Sequence, residues 1–200
     1  NITALTDQGM STKQATEFAR RYPTVVSQFN DTATSFSATV FKDTSGNLTL
    51  AIRGTLEAGD YYPTDANIAL HGAGYDQIVA MYNWWVRAIS PAGQMVQQYR
   101  IASAAAPFIL EVAPSVSGTA ELVEALASDA DHRMEITGHS LGAHLALAFN
   151  TLFRDSVSQV IGFNTAGFID SPGNQQFFST LSGSVPTTAN SGNITNVIAD

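Results

Sequence analysis

Cysteine is absent from this 200-residue chain. That excludes disulfides, thiolate metal sites and cysteine nucleophiles together, and leaves the compartment open. Positive charge is scarce: nine Lys and Arg stand against 17 Asp and Glu, a net charge of −8. Phosphate binding needs a basic patch, so nucleic acid is not an expected partner. Charged residues of either sign make up only 13% of the chain, well below the usual quarter. An acidic, sparsely charged surface suits a neutral or apolar substrate. No apolar run is long enough to span a bilayer, and the longest, residues 101–110, is interrupted by Ser103 and Pro107. The first residue is Asn1, with no basic-plus-apolar leader, as expected of a processed or trimmed chain. What the chain does have is a 44% apolar fraction, ample for one core, and the length of a single domain spanning 1–200.

The most informative stretch is Ile136-Thr137-Gly138-His139-Ser140-Leu141-Gly142-Ala143-His144. It contains Gly138-x-Ser140-x-Gly142 between two recognisable elements. Residues 133–137 read as a short strand. Residues 141–153 carry Leu141, Leu145, Ala148, Phe149 and Leu152 at the spacing of a buried helix. A sharp strand–turn–helix corner pushes its central residue into a strained, exposed position. Glycines on either side let strand and helix approach closely. Ser140 then presents its hydroxyl at the top of a sheet, beside the Leu141 amide at a helix N-terminus. That geometry suits a nucleophilic serine with half an oxyanion hole. The plainer alternative is a serine that caps the helix.

The remaining elements follow from periodicity and punctuation. Ser11 or Thr12 caps a helix over residues 13–21, and residues 24–29 are expected to add another helical turn or two after Pro23. Residues 35–43 alternate, with Phe36, Ala38 and Val40 on one side. They pair with 48–52 across the turn Thr44-Ser45-Gly46-Asn47 as a hairpin. The second strand ends in Ile52-Arg53-Gly54-Thr55, where a loop amide at Thr55 would supply a second oxyanion donor. Residues 75–89 form a helix on the spacing of Ile78, Met81, Tyr82, Trp85 and Ala88. Residues 101–119 read either as a buried helix broken by proline or as a mobile cover over an apolar site. Thr119 caps the next helix, which ends near Ala130. The apolar run 157–163 is a strand suited to a parallel sheet covered on both faces. Residues 170–189 read as loop, and 194–199 as one more strand.

In order, these segments resemble the class 3 lipases, in the α/β-hydrolase lineage. Ile52-Arg53-Gly54-Thr55 is similar to that family's strand-end oxyanion segment. The stretch from Asp65 to Leu70-His71-Gly72-Ala73-Gly74-Tyr75 is similar to its Asp, His and glycine–aromatic pattern, with one extra residue between. Ile136 to Ala143 resembles the nucleophile elbow, with Ala143 where a third glycine is common. Phe163-Asn164-Thr165-Ala166-Gly167-Phe168 resembles the strand end after the elbow helix. The match covers roughly residues 35–200. It implies an α/β-hydrolase-like, mostly parallel sheet with helices on both faces. It also implies ester hydrolysis of acylglycerols or related lipids, with Ser140 as nucleophile and Thr55 and Leu141 forming the oxyanion hole. A subset of bacterial relatives is exported without cysteines, so the expected location is secreted. A lipid–water interface is an expected contact, with Tyr61, Tyr62 and residues 101–119 as the places for a lid. The chemistry needs no cofactor and no metal; a structural calcium ion stays open.

One departure bears on mechanism. The fold's chain order is Ser, then an acid, then His, yet no histidine follows His144. The four histidines are His71, His132, His139 and His144. His139 is expected to point into the sheet–helix corner. His144, one turn beyond Ser140, is expected to face the helix packing. His71 matches a family position that is not the general base, and His132 precedes the nucleophile strand at the wrong end of the sheet. A serine needs a base, so the chain is expected to lack its C-terminal part after a late core strand. Asp200 falls where the resemblance places the acid, with Asp170 second. Two other readings stay open: a non-catalytic hydrolase-like domain that has lost its base, and a thioesterase, acyltransferase or peptidase on the same scaffold.

Overall fold

The computed structural model describes residues 2–54, 74–103, 109–129, 131–182 and 191–198. Two short helices open the chain, α1 (Ile2–Asp7) and α2 (Thr12–Arg21). Ser11 caps α2 in a reciprocal box: its hydroxyl accepts the Gln14 amide, and the Gln14 side chain accepts the Ser11 amide. The next segment corrects the sequence reading. Residues 24–29 are not helical but form β1 (Thr24–Asn30), antiparallel to β2 (Ser37–Lys42). Pro23 disfavours a helical conformation before it, and Thr24-Val25-Val26 is a β-branched run. The hairpin of β2 with β3 (Leu48–Ile52) forms as the alternation predicts. In its turn the Asp43 carboxylate accepts the amides of Ser45 and Asn47.

The remaining α-helices and strands are α3 (Tyr75–Ala88), β4 (Met95–Ser103), β5 (Ile109–Ser117), α4 (Val123–Ser128), β6 (Met134–His139), α5 (Leu141–Leu152), β7 (Val157–Phe163), α6 (Pro172–Ser182) and β8 (Ile194–Val197), with short 3-10 turns at Arg154–Ser156 and Ser191–Asn193. The six-stranded sheet runs β1-β2-β3-β6-β7-β8. Its first three strands are antiparallel, and β3, β6, β7 and β8 are parallel. This is the α/β class with a mainly parallel central sheet. Helices lie on both faces. Phe18 and Tyr22 of α2 and its C-cap meet Phe41 on one side of β2. On the other side Trp84 of α3 meets Phe36, which precedes β2 in line with Ala38 and Val40. Leu50, Ile136 and Val160 are register neighbours on three adjacent strands, and none is exposed. Over them Trp85 meets Phe149 edge-on at 4.8 Å between ring centroids, which joins α3 to α5 through large apolar surfaces. The outward residues of β7 are less covered: Gln159 and Phe163 are exposed and Ile161 half-buried.

Three further segments differ from their sequence readings. Within residues 101–119, the broken helix gives way to a separate hairpin of β4 and β5, while residues 104–108 lie outside the described residues. Arg100 and Glu111 pair across it at 2.9 Å. Pro114 falls where the register slips between Val96 and Gln98, a bulge where a missing N–H costs no ladder bond. Thr119 does not cap α4. Its amide and hydroxyl both go to the Arg87 carbonyl, and the amides of Ala120 and Leu122 reach Ser90 and Ala88. The segment closes the end of α3 instead, and α4 starts later, at Val123. Residues 172–182 form a helix rather than loop. Pro172 occupies its first position, where a proline loses nothing, and the Ser171 hydroxyl accepts the Asn174 amide at 3.2 Å. The helix buries Phe177, Phe178 and Leu181. No helix among the described residues is long and apolar enough to cross a membrane.

Candidate active site

The strand–turn–helix corner forms where the sequence places it. β6 ends at His139, α5 begins at Leu141, and Ser140 alone makes the turn. Its backbone sits at φ 52° and ψ −118°, a left-handed φ that costs a non-glycine residue about 1–3 kcal/mol and clusters at functional sites. The corner is held by its main chain. The Ser140 amide donates to the Phe163 carbonyl at the end of β7 at 2.8 Å, and the Ser140 carbonyl accepts the amides of Ala143 and His144 at 3.0 Å. The Ser140 side chain makes no capping hydrogen bond, so the plainer reading, a serine that caps the helix, is not what the structure contains. Ser140 is half-buried, and Leu141 is buried beside it. The Leu141 and Gly142 amides open α5 with no carbonyl one turn back to accept them.

Close approach explains the glycines. A Cβ on Gly138 would stand 2.7 Å from the Ala143 nitrogen. One on Gly142 would stand 2.9 Å from the Arg53 carbonyl carbon, and one on Gly54 would stand 2.6 Å from the His139 carbonyl oxygen. All are backbone atoms that cannot rotate away. The end of β3 is therefore pressed onto the corner. It is fixed from behind by Arg53, whose amide donates to Ser37 and whose guanidinium donates to the Ser35 carbonyl, each at 3.0 Å. This seats Gly54, the residue before Thr55, against the Ser140 corner. Thr55 itself lies outside the described residues, as do Tyr61, Tyr62 and His71.

The histidines separate by environment. His139 does not point into the sheet–helix corner. It is exposed, with its Nε2 3.4 Å from Asn164 Nδ2. The alternation of β6 accounts for this: Met134, Ile136 and Gly138 are buried under α5, which turns Glu135, Thr137 and His139 to the opposite face. His144 is fully buried, as expected for the helix packing. Its Nδ1 lies 2.9 Å from the Ala166 carbonyl, and its Nε2 accepts the Gly74 amide at 3.3 Å. Burial pushes its pKa below the ordinary histidine value, against the partly opposing bond to Ala166. His132 is exposed ahead of β6 and contacts the Leu126 carbonyl. No histidine among the described residues is hydrogen-bonded to the Ser140 hydroxyl. Of the candidate acids, Asp200 lies outside the described residues. Asp170 is exposed and accepts Gln175 Nε2 at 2.8 Å.

Two features of the site had no sequence signal strong enough to find them. One is the His144 contact with Gly74, 70 residues apart. The other is the buried pair of Tyr75 and Asn174, whose hydroxyl and amide oxygen are hydrogen-bonded while the Asn174 amide donates to the Ile169 carbonyl at 2.7 Å. Glycine–aromatic spacing at Gly74 and Tyr75 was the one local hint. A polar cavity of about 200 Å³ lies elsewhere, among Arg21, Asp43, Asp129, Arg133 and Glu135 at the opposite end of β6 from Ser140. Among the described residues no group of His, Cys, Asp and Glu could hold a metal ion.

Comparison with protein-family profiles finds no match, and no curated protein matches the chain. Among solved structures, a lipase of Yarrowia lipolytica is similar at 15% identity and a TM-score of 0.42, over 92% of this chain and 60% of that one. A triacylglycerol lipase of Penicillium expansum is similar at 14% identity and a TM-score of 0.38, over 82% of this chain and 59% of that one. The chain spans less than two thirds of the length of either lipase, and likenesses this loose assign no residue a role.

Proposed function

We propose that the protein is a serine hydrolase of carboxylic esters, of the class 3 lipase type, acting on acylglycerols or related lipid esters. The observation that carries this reading is the backbone of Ser140. It is a non-glycine residue at φ 52°, between a strand and a helix, with glycines that admit a second strand end beside it. Ser35, Ala120, His132 and Asn164 also have positive φ, but only Ser140 among these makes the one-residue turn from a parallel strand into a helix, the position in which this fold holds a nucleophile. In the proposed mechanism Ser140 Oγ attacks the ester carbonyl while a base takes its proton. The Leu141 and Thr55 amides receive the developing oxyanion. The C–O bond to the alcohol then breaks, the alcohol leaves with the proton, and water hydrolyses the acyl-enzyme. Asp200 is assigned to orient the base, which lies outside the described residues. The sparsely charged acidic composition fits an exported enzyme that works at a lipid–water interface. The competing reading, a hydrolase-like domain without catalysis, draws on the absence of a described histidine hydrogen-bonded to Ser140.

The test is intact mass of the natural protein before and after an alkyl fluorophosphonate, with peptide mapping, followed by a panel of esters, thioesters and amides. A single adduct at Ser140 and preference for acyl esters support the proposal. Ester turnover that survives Ser140→Ala, or no adduct and no turnover, would refute it.

A further inference from the structure

His144 is a buried titratable group that the proposed mechanism does not use, and its two ring nitrogens have partners of opposite kind. A backbone carbonyl only accepts and a backbone amide only donates. Nδ1 faces the Ala166 carbonyl at 2.9 Å, and Nε2 faces the Gly74 amide at 3.3 Å. The ring is therefore neutral, with its proton on Nδ1. One imidazole joins three segments: the helix leaving Ser140, the stretch after β7 that follows the Phe163 carbonyl bonded to the Ser140 amide, and the entry to α3. Phe168 packs on the ring at 4.1 Å between centroids. The stretch after β7 continues directly from Phe163, whose carbonyl holds the Ser140 amide, through Asn164, whose amide is fixed on Val197 at 2.8 Å.

We propose that His144 is a positioning residue for the Ser140 corner, acting as a neutral Nδ1–H imidazole that registers the post-β7 stretch and Gly74 against the elbow helix. This rests on the reading of Ser140 as the nucleophile. The tautomer also removes His144 as the missing base, because its lone pair already accepts Gly74. A second proton would place an N–H on Nε2 against the Gly74 N–H, two donors face to face, so acid opens the joint. Few titratable groups lie on the surrounding elements. α5, β7 and α6 carry no other. α3 contributes Asp76, Arg87, Tyr82 and Tyr75, whose hydroxyl goes to Asn174; the post-β7 stretch contributes Asp170, held by Gln175; β6 contributes Glu135 and His139; the end of β3 contributes Arg53, whose guanidinium goes to the Ser35 carbonyl; and the 3-10 turn after α5 contributes Arg154 and Asp155. None of them forms a hydrogen bond or ion pair with His144 among the described residues.

The experiment has two readouts. Imidazole nitrogen and carbon NMR shifts of the natural protein report tautomer and titration directly. The rate of phosphonate labelling at Ser140, resolved into binding and reaction constants against pH, is compared for wild type, His144→Ala and His144→Gln. The expected result is a neutral Nδ1–H ring at pH 7.5. His144→Ala should lower the reaction constant by about tenfold or more, with little change in the binding constant. His144→Gln donates and accepts without titrating; it should recover most of the rate and lose the acid limb assigned to this ring. An Nε2–H or charged ring overturns the proposal, as does His144→Ala labelling like wild type. If His144→Ala does not fold, the wild-type ring signals and His144→Gln decide. A wild type that takes no label sinks the nucleophile reading and this inference with it. Labelled wild type with indifferent variants sinks this inference alone.

Discussion

Replacing Gly142 with alanine sets two effects of opposite sign against each other. Gly142 lies in the first turn of α5, and helix propensity alone favours alanine there by about 1 kcal/mol. Packing says the reverse. The new Cβ would stand 2.9 Å from the Arg53 carbonyl carbon and 3.0 Å from the Gly54 nitrogen, and closer still to the Ile52 carbonyl oxygen. All three atoms are backbone at the end of β3. That strand cannot retreat freely: Ile52 is in register with Gly138, and the Arg53 amide is bonded to Ser37. Relief requires helix and strand to separate, which weakens the Ser140 corner. Overpacking of this kind costs about 1–3 kcal/mol and sometimes more, and backbone opponents place it at the upper end. Gly142→Ala should therefore lose about 2 kcal/mol net in urea unfolding and slow phosphonate labelling of Ser140. Gly167→Ala is the control, because its Cβ would meet nothing within 4 Å; it should stay within about 0.5 kcal/mol of wild type. Gly142→Ala as stable as wild type would refute the close-approach argument and with it the reason for the motif's second glycine.

Two further results are expected. Ser140→Ala should leave stability within about 0.5 kcal/mol, since the side chain caps nothing, whereas Ser140→Gly should stabilise by about 1 kcal/mol as the positive φ becomes free; urea melts distinguish them, and a destabilised Ser140→Gly would mean the turn is not strained. Stability should also fall in acid through His144. The unfolded chain takes this proton near 6.5, the ordinary histidine value, and the folded protein only at lower pH. The stability is thus fully present above about 6.5 and is lost as pH falls from there toward the folded value, with a limiting slope of about 1.4 kcal/mol per pH unit. Subtracting His144→Gln melts removes groups that titrate alike in both proteins, including Asp76, whose pKa burial raises; a difference curve flat from pH 7 to 5 would refute the assignment.

How much of this was legible in the sequence depended on whether the deciding partner was local. The corner at Ser140 was readable because each requirement sits within a few residues: glycines for clearance, an apolar-periodic helix after, a strand before. The β2–β3 hairpin and the Ser11 cap were readable for the same reason. The misread segments had a plausible local signal that a distant group overruled. Thr119 looks like a helix cap until the Arg87 carbonyl at the end of α3 accepts both its amide and its hydroxyl. Residues 24–29 carried a local strand cue in the β-branched Thr24-Val25-Val26, and β2 supplied the edge that pairs with it. Residues 101–119 gave an ambiguous period because the pairing that makes them a hairpin is interrupted by bulges, one of them at the proline that suggested a break. His144 shows the same principle at the site. Its position predicted burial, but its chemical state is set by Ala166 and Gly74, one 22 residues after it and one 70 before. No local pattern could have supplied the neutral tautomer that takes it out of contention as the base. The site therefore divides by the range of its contacts. The strained turn at Ser140 is encoded next to it, while the protonation and placement of the groups around it are encoded in segments that meet only when the sheet closes.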